Sequence, residues 1–188
     1  MKFTKTEIEG LVIVEPTIFE DDRGYFYESY NQNEFESSGI FPKVFVQDNQ
    51  SKSSKGVLRG LHFQKPPFAQ GKLVRVLSGA VLDVAIDLRK NSKTYGHHFS
   101  IELTGDNHKM FWVPPGFAHG FLTLEDDTIF CYKCTNPYHK QSEVCILWND
   151  PDLNIDWKID NPIISEKDQE GIELKNFNNN IFTSQTNK

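Results

Sequence analysis

Residues 57–88 read VLRGLHFQKPPFAQGKLVRVLSGAVLDVAIDL. Leucine, valine and isoleucine recur along this stretch with the alternation that is typical of β-strands. The arms KLVRVL and AVLDVAIDL flank a turn at Ser78–Gly79, and this pattern predicts a β-hairpin. Arg59, His62 and Lys72 interrupt the apolar pattern, and a charged group among buried strands needs a partner or a ligand. We therefore expect these residues at the mouth or wall of a cavity.

The rest of the chain continues in short strands. HHFSIELT, HKMFWVP, GFLTL, TIFCYKC and SEVCILWN are separated by turn residues, and an acidic turn closed by Gly24 joins a strand pair near the start. NEFESSGIFP predicts a short helix that ends at Pro42, and SEKDQEGIEL predicts another with Ser165 as N-cap. Strand following strand at this spacing predicts an all-β barrel or sandwich with short peripheral helices, and not alternating βαβ units.

Length and composition restrict the class of protein further. The chain has 188 residues and a formal net charge of −6. One domain over residues 1–175 is expected, followed by a polar, Asn-rich tail at 176–188. The acidic balance argues against nucleic acid or an anionic membrane as the main partner, and no apolar run approaches the roughly 20 residues that cross a bilayer. An odd number of cysteines without a charged-then-apolar leader predicts a cytoplasmic protein without a disulfide framework.

Two patterns raise the possibility of a metal, and neither is complete. Cys131 and Cys134 form a C-x-x-C, but positions three apart on a strand point to opposite faces, and no second C-x-x-C is present. Metal-binding cupin barrels carry H-x-H on one strand, whereas the matching positions here are His62 and Gln64. The adjacent histidines at 97–98 would also point to opposite faces. We expect no metal.

His62 is the first candidate for acid–base chemistry. Its neighbours Leu61 and Phe63 are apolar, so its ring is expected to point into the barrel, where an imidazole can accept a proton. The alternative is a core or rim histidine that is satisfied by a hydrogen bond. Arg59 would face the opposite way in a regular strand, but Gly60 can host a bulge that turns it inward.

Three further residues have both a functional and a structural interpretation. Lys72 faces a ligand at the barrel mouth, or it is a strand-end lysine that keeps its charge in water. Tyr132 shares a strand face with Phe130, so it is an acid or a packing residue with its hydroxyl at the rim. Asp168 stands three residues after Ser165, which is also the position of a capping-box acid.

Several motifs together carry a resemblance to a known family. They are RGLHFQKPPFAQGKLVRV, VPPGFAHGFL, YKCTNPYHKQSE, LWNDPDLNIDW and SEKD. In them the chain resembles the dTDP-4-dehydrorhamnose 3,5-epimerases of the rhamnose pathway, over a span from about Met1 to Asp168. The resemblance implies a metal-free, cupin-like jelly-roll β-barrel, a homodimer with exchanged N-terminal strands and shared active sites, and a reaction on dTDP-4-keto-6-deoxy-glucose without a cofactor.

The resemblance also implies roles for individual residues. His62 is the general base, Asp168 its orienting partner, Tyr132 the general acid, and Lys72 the cation at the enolate oxygen. Tyr138 matches a tyrosine that stacks near the thymine ring. The full set implied for substrate binding is Arg23, Glu28, Gln47, Asp48, Asn49, Arg59, Lys72, His119, Tyr138, Glu143 and Lys167, with Arg23 entering from the neighbouring subunit. Asp48 would face away from Gln47 and Asn49 in a regular strand.

Other functions fit the same residues. A related epimerase that acts at C3 alone or C5 alone, on another dTDP-deoxysugar, would use the same base and acid. A catalytically silent sugar-nucleotide-binding barrel is disfavoured by the full set of His62, Asp168, Lys72 and Tyr132. A metal-dependent cupin oxygenase is disfavoured by the missing H-x-H.

Overall fold

The computed structural model describes residues 1–39 and 44–178. Strands dominate, and the helices are short. In chain order the strands are β1 (Lys2–Lys5), β2 (Val12–Glu15), β3 (Phe19–Asp21), β4 (Gly24–Phe26), β5 (Gln47–Ser53), β6 (Leu58–Gln64), β7 (Lys72–Ser78), β8 (Ala80–Asp87), β9 (His98–Thr104), β10 (Met110–Val113), β11 (Phe117–Thr123), β12 (Thr128–Cys134) and β13 (Glu143–Cys145). The α-helices are α1 (Gln32–Ser37) and α2 (Glu166–Gln169), and 3₁₀ turns lie at Lys140–Ser142 and Leu174–Asn176.

Two antiparallel sheets face each other. One has six strands in the order β1-β2-β10-β7-β12-β5, and the other has five in the order β13-β6-β11-β8-β9. Phe111, Phe121, Phe130 and Val74 pack between them in the main core. The predicted all-β, cupin-like jelly-roll barrel with short peripheral helices is confirmed.

The predicted hairpin between β7 and β8 is wrong. β7 pairs with β10 and β12, whereas β8 pairs with β9 and β11, so the turn at Gly79 carries the chain from one sheet to the other. The apolar faces of the two strands meet in one core, where Val76 of β7 and Val81 of β8 are both buried. Burying these faces against each other requires the strands to stack face to face, and a hairpin would set them side by side.

The segment that follows β13, residues 146–177, covers the outer face of the five-stranded sheet. Ile146, Leu153 and Trp157 pack there against buried residues of β6 and β8, including Leu61 and Ile86. This cover explains why β8 is apolar on both faces. It also holds α2 beside β6, because Leu58 N–H donates to the Ile163 carbonyl and the Ile163 N–H to the Gly56 carbonyl.

The other local predictions have mixed outcomes. The strand pair around Gly24 is confirmed as β3 and β4, which expose Phe19, Tyr25 and Phe26 by 61%, 56% and 68%. Both predicted helices are present, and the Asn31 side chain caps α1 by accepting from two backbone N–H groups. Pro42 and most of the predicted tail lie outside the described residues. Within the described ranges, no helix combines the length and apolar character needed to traverse a bilayer.

Candidate active site

A cavity of about 650 Å³ lies between the two sheets. Its walls come from β5, β7 and β12 on one side and from β6, β11, α2 and the segment before α2 on the other. All four predicted catalytic residues line it, together with part of the predicted binding set: His62, Lys72, Tyr132, Asp168, Asn49, Arg59, His119 and Lys167.

A bulge in β6 sets the direction of the side chains on that strand. His62 pairs with His119 and Arg59 with Phe121, so an extra residue stands in β6 opposite β11. Gly60 lies in the bulge with φ +128, and a Cβ there would come within 2.6 Å of the Gly120 Cα. Only glycine fits this close approach of two backbones. The predicted bulge is confirmed, and it brings Arg59 to the same cavity as His62.

His62 and Asp168 form a hydrogen-bonded pair. The distance between His62 Nε2 and Asp168 Oδ1 is 2.7 Å, and the second carboxylate oxygen accepts from the Gly60 N–H at 3.2 Å. A carboxylate only accepts at this position, so Nε2 carries the hydrogen and Nδ1 of the neutral ring keeps the lone pair. The geometry therefore leaves a base whose tautomer is fixed.

The environment keeps the Asp168 carboxylate charged. Burial by itself would raise its pKa, but the hydrogen bond from His62, the charge that this ring carries when it is protonated, and the Gly60 N–H outweigh burial and lower the pKa below its usual value. Ser165 does cap α2, because its hydroxyl accepts from the Asp168 N–H. The Asp168 side chain, however, forms its hydrogen bonds with His62 and Gly60 of β6. The capping interpretation therefore holds only for the bond between the Ser165 hydroxyl and the Asp168 N–H.

Lys72 lies beside the pair and is half-buried. Its ammonium donates to the His62 carbonyl at 3.4 Å and stands 6.0 Å from the centre of the Tyr132 ring. Burial lowers the pKa of Lys72, and the negative groups around it, Asp83 and Glu143 among them, raise it by less. Within the described ranges, no salt bridge is formed by this lysine. Its charge is therefore available to an oxygen anion in the cavity.

Tyr132 faces the cavity from β12. It lies next to Phe130, with ring centres 6.0 Å apart. Burial raises the pKa of its phenol to about 12, with smaller contributions of the same sign from Cys134 and Glu143. The hydroxyl therefore stays protonated at neutral pH and can donate a proton.

A second histidine–aspartate pair lies deeper in the wall. His119 Nε2 is 2.9 and 3.0 Å from the two carboxylate oxygens of Asp83, and both side chains are buried. Sequence reasoning selected His119 but missed Asp83. The signal was present, since Asp83 interrupts the apolar strand VLDVAID in the way that Lys72 interrupts its own. The pair fixes the direction of a ring that lines the cavity.

Polar contacts continue from the cavity to its rim. Gln47 donates to Asn49 Oδ1 at 2.9 Å and accepts from the Tyr138 N–H at 2.9 Å. The Tyr138 hydroxyl donates to Glu143 Oε2 at 2.7 Å, and the same oxygen lies 2.5 Å from Lys167 Nζ. Burial raises the pKa of Glu143, and the bonds from Lys167 and Tyr138 bring it below its usual value. Tyr138 is 53% exposed as a residue, and its ring presents a flat aromatic surface at the rim.

Three predicted binding residues are not brought to this cavity by their own chain. Asp48 points to the other face of β5, where both carboxylate oxygens accept from Lys133 Nζ at 3.0 Å. Arg23 is exposed in the β3–β4 turn and paired with Asp21. Glu28 accepts from the Asn31 side chain. The orientation of Asp48 is the one that strand alternation predicts.

One group of donors has the composition of a metal site. His62, Cys145 and Asp168 place one donor atom each within 4.8 Å of one another. Two of the three already share the hydrogen bond described above, and burial raises the pKa of the Cys145 thiol to about 12, so the thiol is neutral at pH 7. The absence of a metal cofactor stays a prediction.

Comparison with known proteins identifies the family. The family model described as dTDP-4-dehydrorhamnose 3,5-epimerase matches residues 5–176. The chain belongs to the dTDP-4-dehydrorhamnose 3,5-epimerase family. The Shigella flexneri enzyme of that name is 51% identical over 171 residues, which are 91% of this chain and 94% of the relative.

Solved structures of the epimerase family share the whole fold. The Elizabethkingia anophelis dTDP-4-dehydrorhamnose 3,5-epimerase is 53% identical with a TM-score of 0.90, covering 94% of this chain and 99% of the other. The Legionella pneumophila epimerase, solved with dTDP-4-keto-L-rhamnose, is 44% identical with a TM-score of 0.92 and covers 97% of each chain. The family resemblance inferred from the sequence motifs is confirmed.

Proposed function

We propose that the chain epimerises dTDP-4-keto-6-deoxy-glucose at C3 and C5, giving dTDP-4-dehydro-L-rhamnose in dTDP-rhamnose biosynthesis. Family membership supports the substrate class. The observation that carries the chemistry is the His62–Asp168 pair at 2.7 Å in one cavity with Lys72 and Tyr132. No cofactor is needed, because both reacting carbons lie next to the C4 carbonyl. A cytoplasmic location, with no nucleic acid or membrane as partner, fits a soluble nucleotide-sugar substrate.

His62 removes the proton. The C4 carbonyl acidifies the hydrogens on C3 and C5, so a base within hydrogen-bond reach of either carbon can generate an enolate. The Nδ1 lone pair of His62 accepts that proton, and the ring becomes an imidazolium. Asp168 stabilises this cation through the hydrogen bond at Nε2.

Lys72 stabilises the charge that moves onto the C4 oxygen. An ammonium in a partly desolvated cavity stabilises a developing oxyanion more than it would in water. Its lowered pKa reflects the same desolvation. The enolate oxygen then supplies the negative partner that Lys72 lacks in the free protein.

Tyr132 returns a proton from the side of the sugar ring opposite to His62. Inversion requires delivery on the face opposite to abstraction, and Tyr132 belongs to the sheet that faces β6. Its phenol is the acid, since a pKa of about 12 keeps it protonated until a carbanion is formed. Solvent then reprotonates the phenolate and removes the proton held by His62 before the next step.

The nucleotide is bound by the remaining polar residues. Arg59 has a planar fork suited to phosphate oxygens, and its Nε is held by the Ser53 hydroxyl at 3.2 Å. His119 and Lys167 add donors on the same wall. The exposed Tyr138 ring is positioned to stack on the thymine at the rim. A chain of net charge −6 thus gathers cationic side chains where a diphosphate must bind.

The active form is proposed to be a homodimer with shared sites. The β3–β4 hairpin exposes three large aromatic rings and carries Arg23 in its turn, away from the cavity of its own chain. Burying these rings on a second copy would place Arg23 at the partner's cavity, with Glu28 following from the same segment. Dilution below the dimer dissociation constant should then lower specific activity, and a fully active monomer would exclude shared sites.

Product analysis tests the function. Incubation with dTDP-4-keto-6-deoxy-glucose in D₂O, with a reductase to trap the product, should give the L-rhamno configuration with deuterium at both C3 and C5. His62→Asn should bind substrate and incorporate almost none. Deuterium and inversion at one carbon alone would favour the single-centre epimerase, and no exchange at either carbon would leave a binding barrel.

A further inference from the structure

Cys145 lies beside the catalytic pair without a part in the reaction described above. It stands on β13 directly opposite His62 of β6 in the sheet register. Asp168 approaches the same point from α2. The donor atoms of the three side chains lie within 4.8 Å of one another, and they include a thiol, an imidazole and a carboxylate.

These donors fit a thiophilic divalent cation. Zinc binds histidine nitrogen at about 2.0–2.1 Å, thiolate sulfur at about 2.3 Å and carboxylate oxygen at about 2.0–2.2 Å, so neighbouring ligands of a tetrahedral site are about 3.3–3.6 Å apart. The His62–Asp168 contact of 2.7 Å must open by about 0.6–0.9 Å to reach this range, and donor atoms as far apart as 4.8 Å must approach by about 1.2 Å. Side-chain rotation is sufficient for such a shift, and the fourth position would face the cavity.

The surrounding charge also favours a cation. Asp168 and Glu143 are the carboxylates whose charges act on Cys145, and Lys167 is the opposing ammonium. Lys167 is itself paired with Glu143 at 2.5 Å, so its ammonium already has a carboxylate partner other than Asp168.

We propose that Zn²⁺ binds His62, Cys145 and Asp168 and thereby inhibits the epimerase reversibly. The ion takes the place of the hydrogen that His62 Nε2 shares with Asp168, and the Cys145 thiol releases its proton to solvent as the Zn–S bond forms. The hydrogen from Nε2 then resides on Nδ1, the nitrogen whose lone pair serves as the base. No electron is transferred. The ion is an inhibitor here and has no part in turnover.

The test compares two cysteine variants of the full-length protein in buffers of defined free Zn²⁺. Cys145→Ser removes the sulfur ligand. Cys131→Ser is the matched control. Cys131 lies on the face of β12 opposite to the cavity-lining Tyr132, and its thiol is 3.4 Å from Gln50 Oε1. Loss of a residue that only hydrogen-bonds to a metal ligand costs roughly 10–100-fold in metal affinity. Loss of a direct ligand should therefore raise the Zn²⁺ inhibition constant at least about tenfold.

Equilibrium dialysis provides a readout that does not depend on activity. The wild type and Cys131→Ser should bind one Zn²⁺ per chain at this site, Co²⁺ should give a thiolate charge-transfer band, and both signals should be lost in Cys145→Ser. Chelator should restore activity, which separates metal binding from thiol oxidation. Cys145→Ala repeats the test if the serine variant melts early.

The outcomes separate this proposal from the proposed function on which its inhibitory part rests. Equal inhibition of wild type and Cys145→Ser would overturn the site and point to chelation by the substrate diphosphate. Stoichiometric binding through Cys145 with undiminished turnover would overturn the inhibition and would count against His62 as the base. An inactive protein that binds Zn²⁺ through Cys145 would retain the metal site while the epimerase function fails.

Discussion

Asp168→Asn tests the feature on which the proposed mechanism depends. In the wild type both carboxylate oxygens accept, one from His62 Nε2 at 2.7 Å and the other from the Gly60 N–H at 3.2 Å. Asparagine offers one acceptor and one donor. When its carbonyl keeps the Gly60 bond, its amide group faces Nε2, and the ring must shift its hydrogen to Nδ1. The base is then lost although its ring remains in place.

The size of the effect follows from this tautomer shift. General bases contribute about 10²–10⁴-fold in rate, so kcat should fall within that range, equivalent to about 3–5 kcal/mol of transition-state stabilisation. KM should change little, since Asp168 is not among the residues proposed to hold the nucleotide. Asp48→Asn is the matched control, because Asp48 lies on the opposite face of β5.

Wash-in of solvent deuterium is the assay that isolates the base. Rates of exchange at C3 and C5 in the variant, measured by NMR at saturating substrate, should fall in parallel with kcat. Exchange at the wild-type rate in Asp168→Asn, with a folded protein, would refute the reasoning that the carboxylate sets the tautomer of His62.

Four further predictions concern the acid, the second pair, the bulge and a buried carboxylate. Tyr132→Phe should retain hydrogen exchange at the substrate carbons but lose inversion by about 10²–10⁴-fold, and equal loss of both would refute a role confined to proton return. Asp83→Asn should raise KM about tenfold with a smaller effect on kcat, since one hydrogen bond to a charged group is worth about 1.5–3 kcal/mol; an unchanged KM would refute it. Gly60→Ala should cost at least about 1–3 kcal/mol of unfolding free energy in denaturant titration, because of its φ of +128 and because the added Cβ would come within 2.6 Å of the Gly120 Cα; a neutral result would contradict the statement that only glycine fits there. Burial raises the pKa of Asp87, but hydrogen bonds from Arg89, Ser92 and Thr94 outweigh burial and lower the pKa below its usual value of 3.8. The contribution of Asp87 to stability is therefore present above pH 3.8 and is lost as the pH falls through the lower pKa of the folded state. Asp87→Asn should make the free energy of unfolding less dependent on pH in this acidic range, and an unchanged pH dependence would contradict this.

Local patterns in the sequence predicted the features that depend on neighbouring residues. Alternating apolar residues marked the strands, and Gly60 marked the bulge, because each depends on the geometry of a few consecutive positions. The placement of β7 and β8 in different sheets could not be predicted in this way. Their turn has the composition of a hairpin turn, and the competing interaction is the face-to-face packing of Val76 and Val81 in the common core.

In the candidate site, too, local sequence predicts some features and not others. Its charged residues could be selected because they interrupt apolar strands, but their pairing depends on contacts between distant segments. Asp168 and Gly60 are 108 positions apart, and Asp83 and His119 are 36 apart. Asp83 shows the consequence, since an acid in a strand is easily assigned to the solvent face. Only the contact with His119 shows that the same carboxylate is buried and directs a ring toward the cavity.

Cys145 shows that one strand register can serve two kinds of chemistry. Its position opposite His62 follows from the pairing of β13 with β6, which also places Glu143 opposite Gln64 at the rim. Proton transfer needs His62 with a carboxylate at one nitrogen and an open path at the other. Metal binding needs the same two groups plus a soft donor, and a thiol at this register position supplies it. A cysteine here therefore leaves the His62–Asp168 pair intact and adds a way to block it, so Cys145→Ser should retain epimerase activity and lose its sensitivity to zinc.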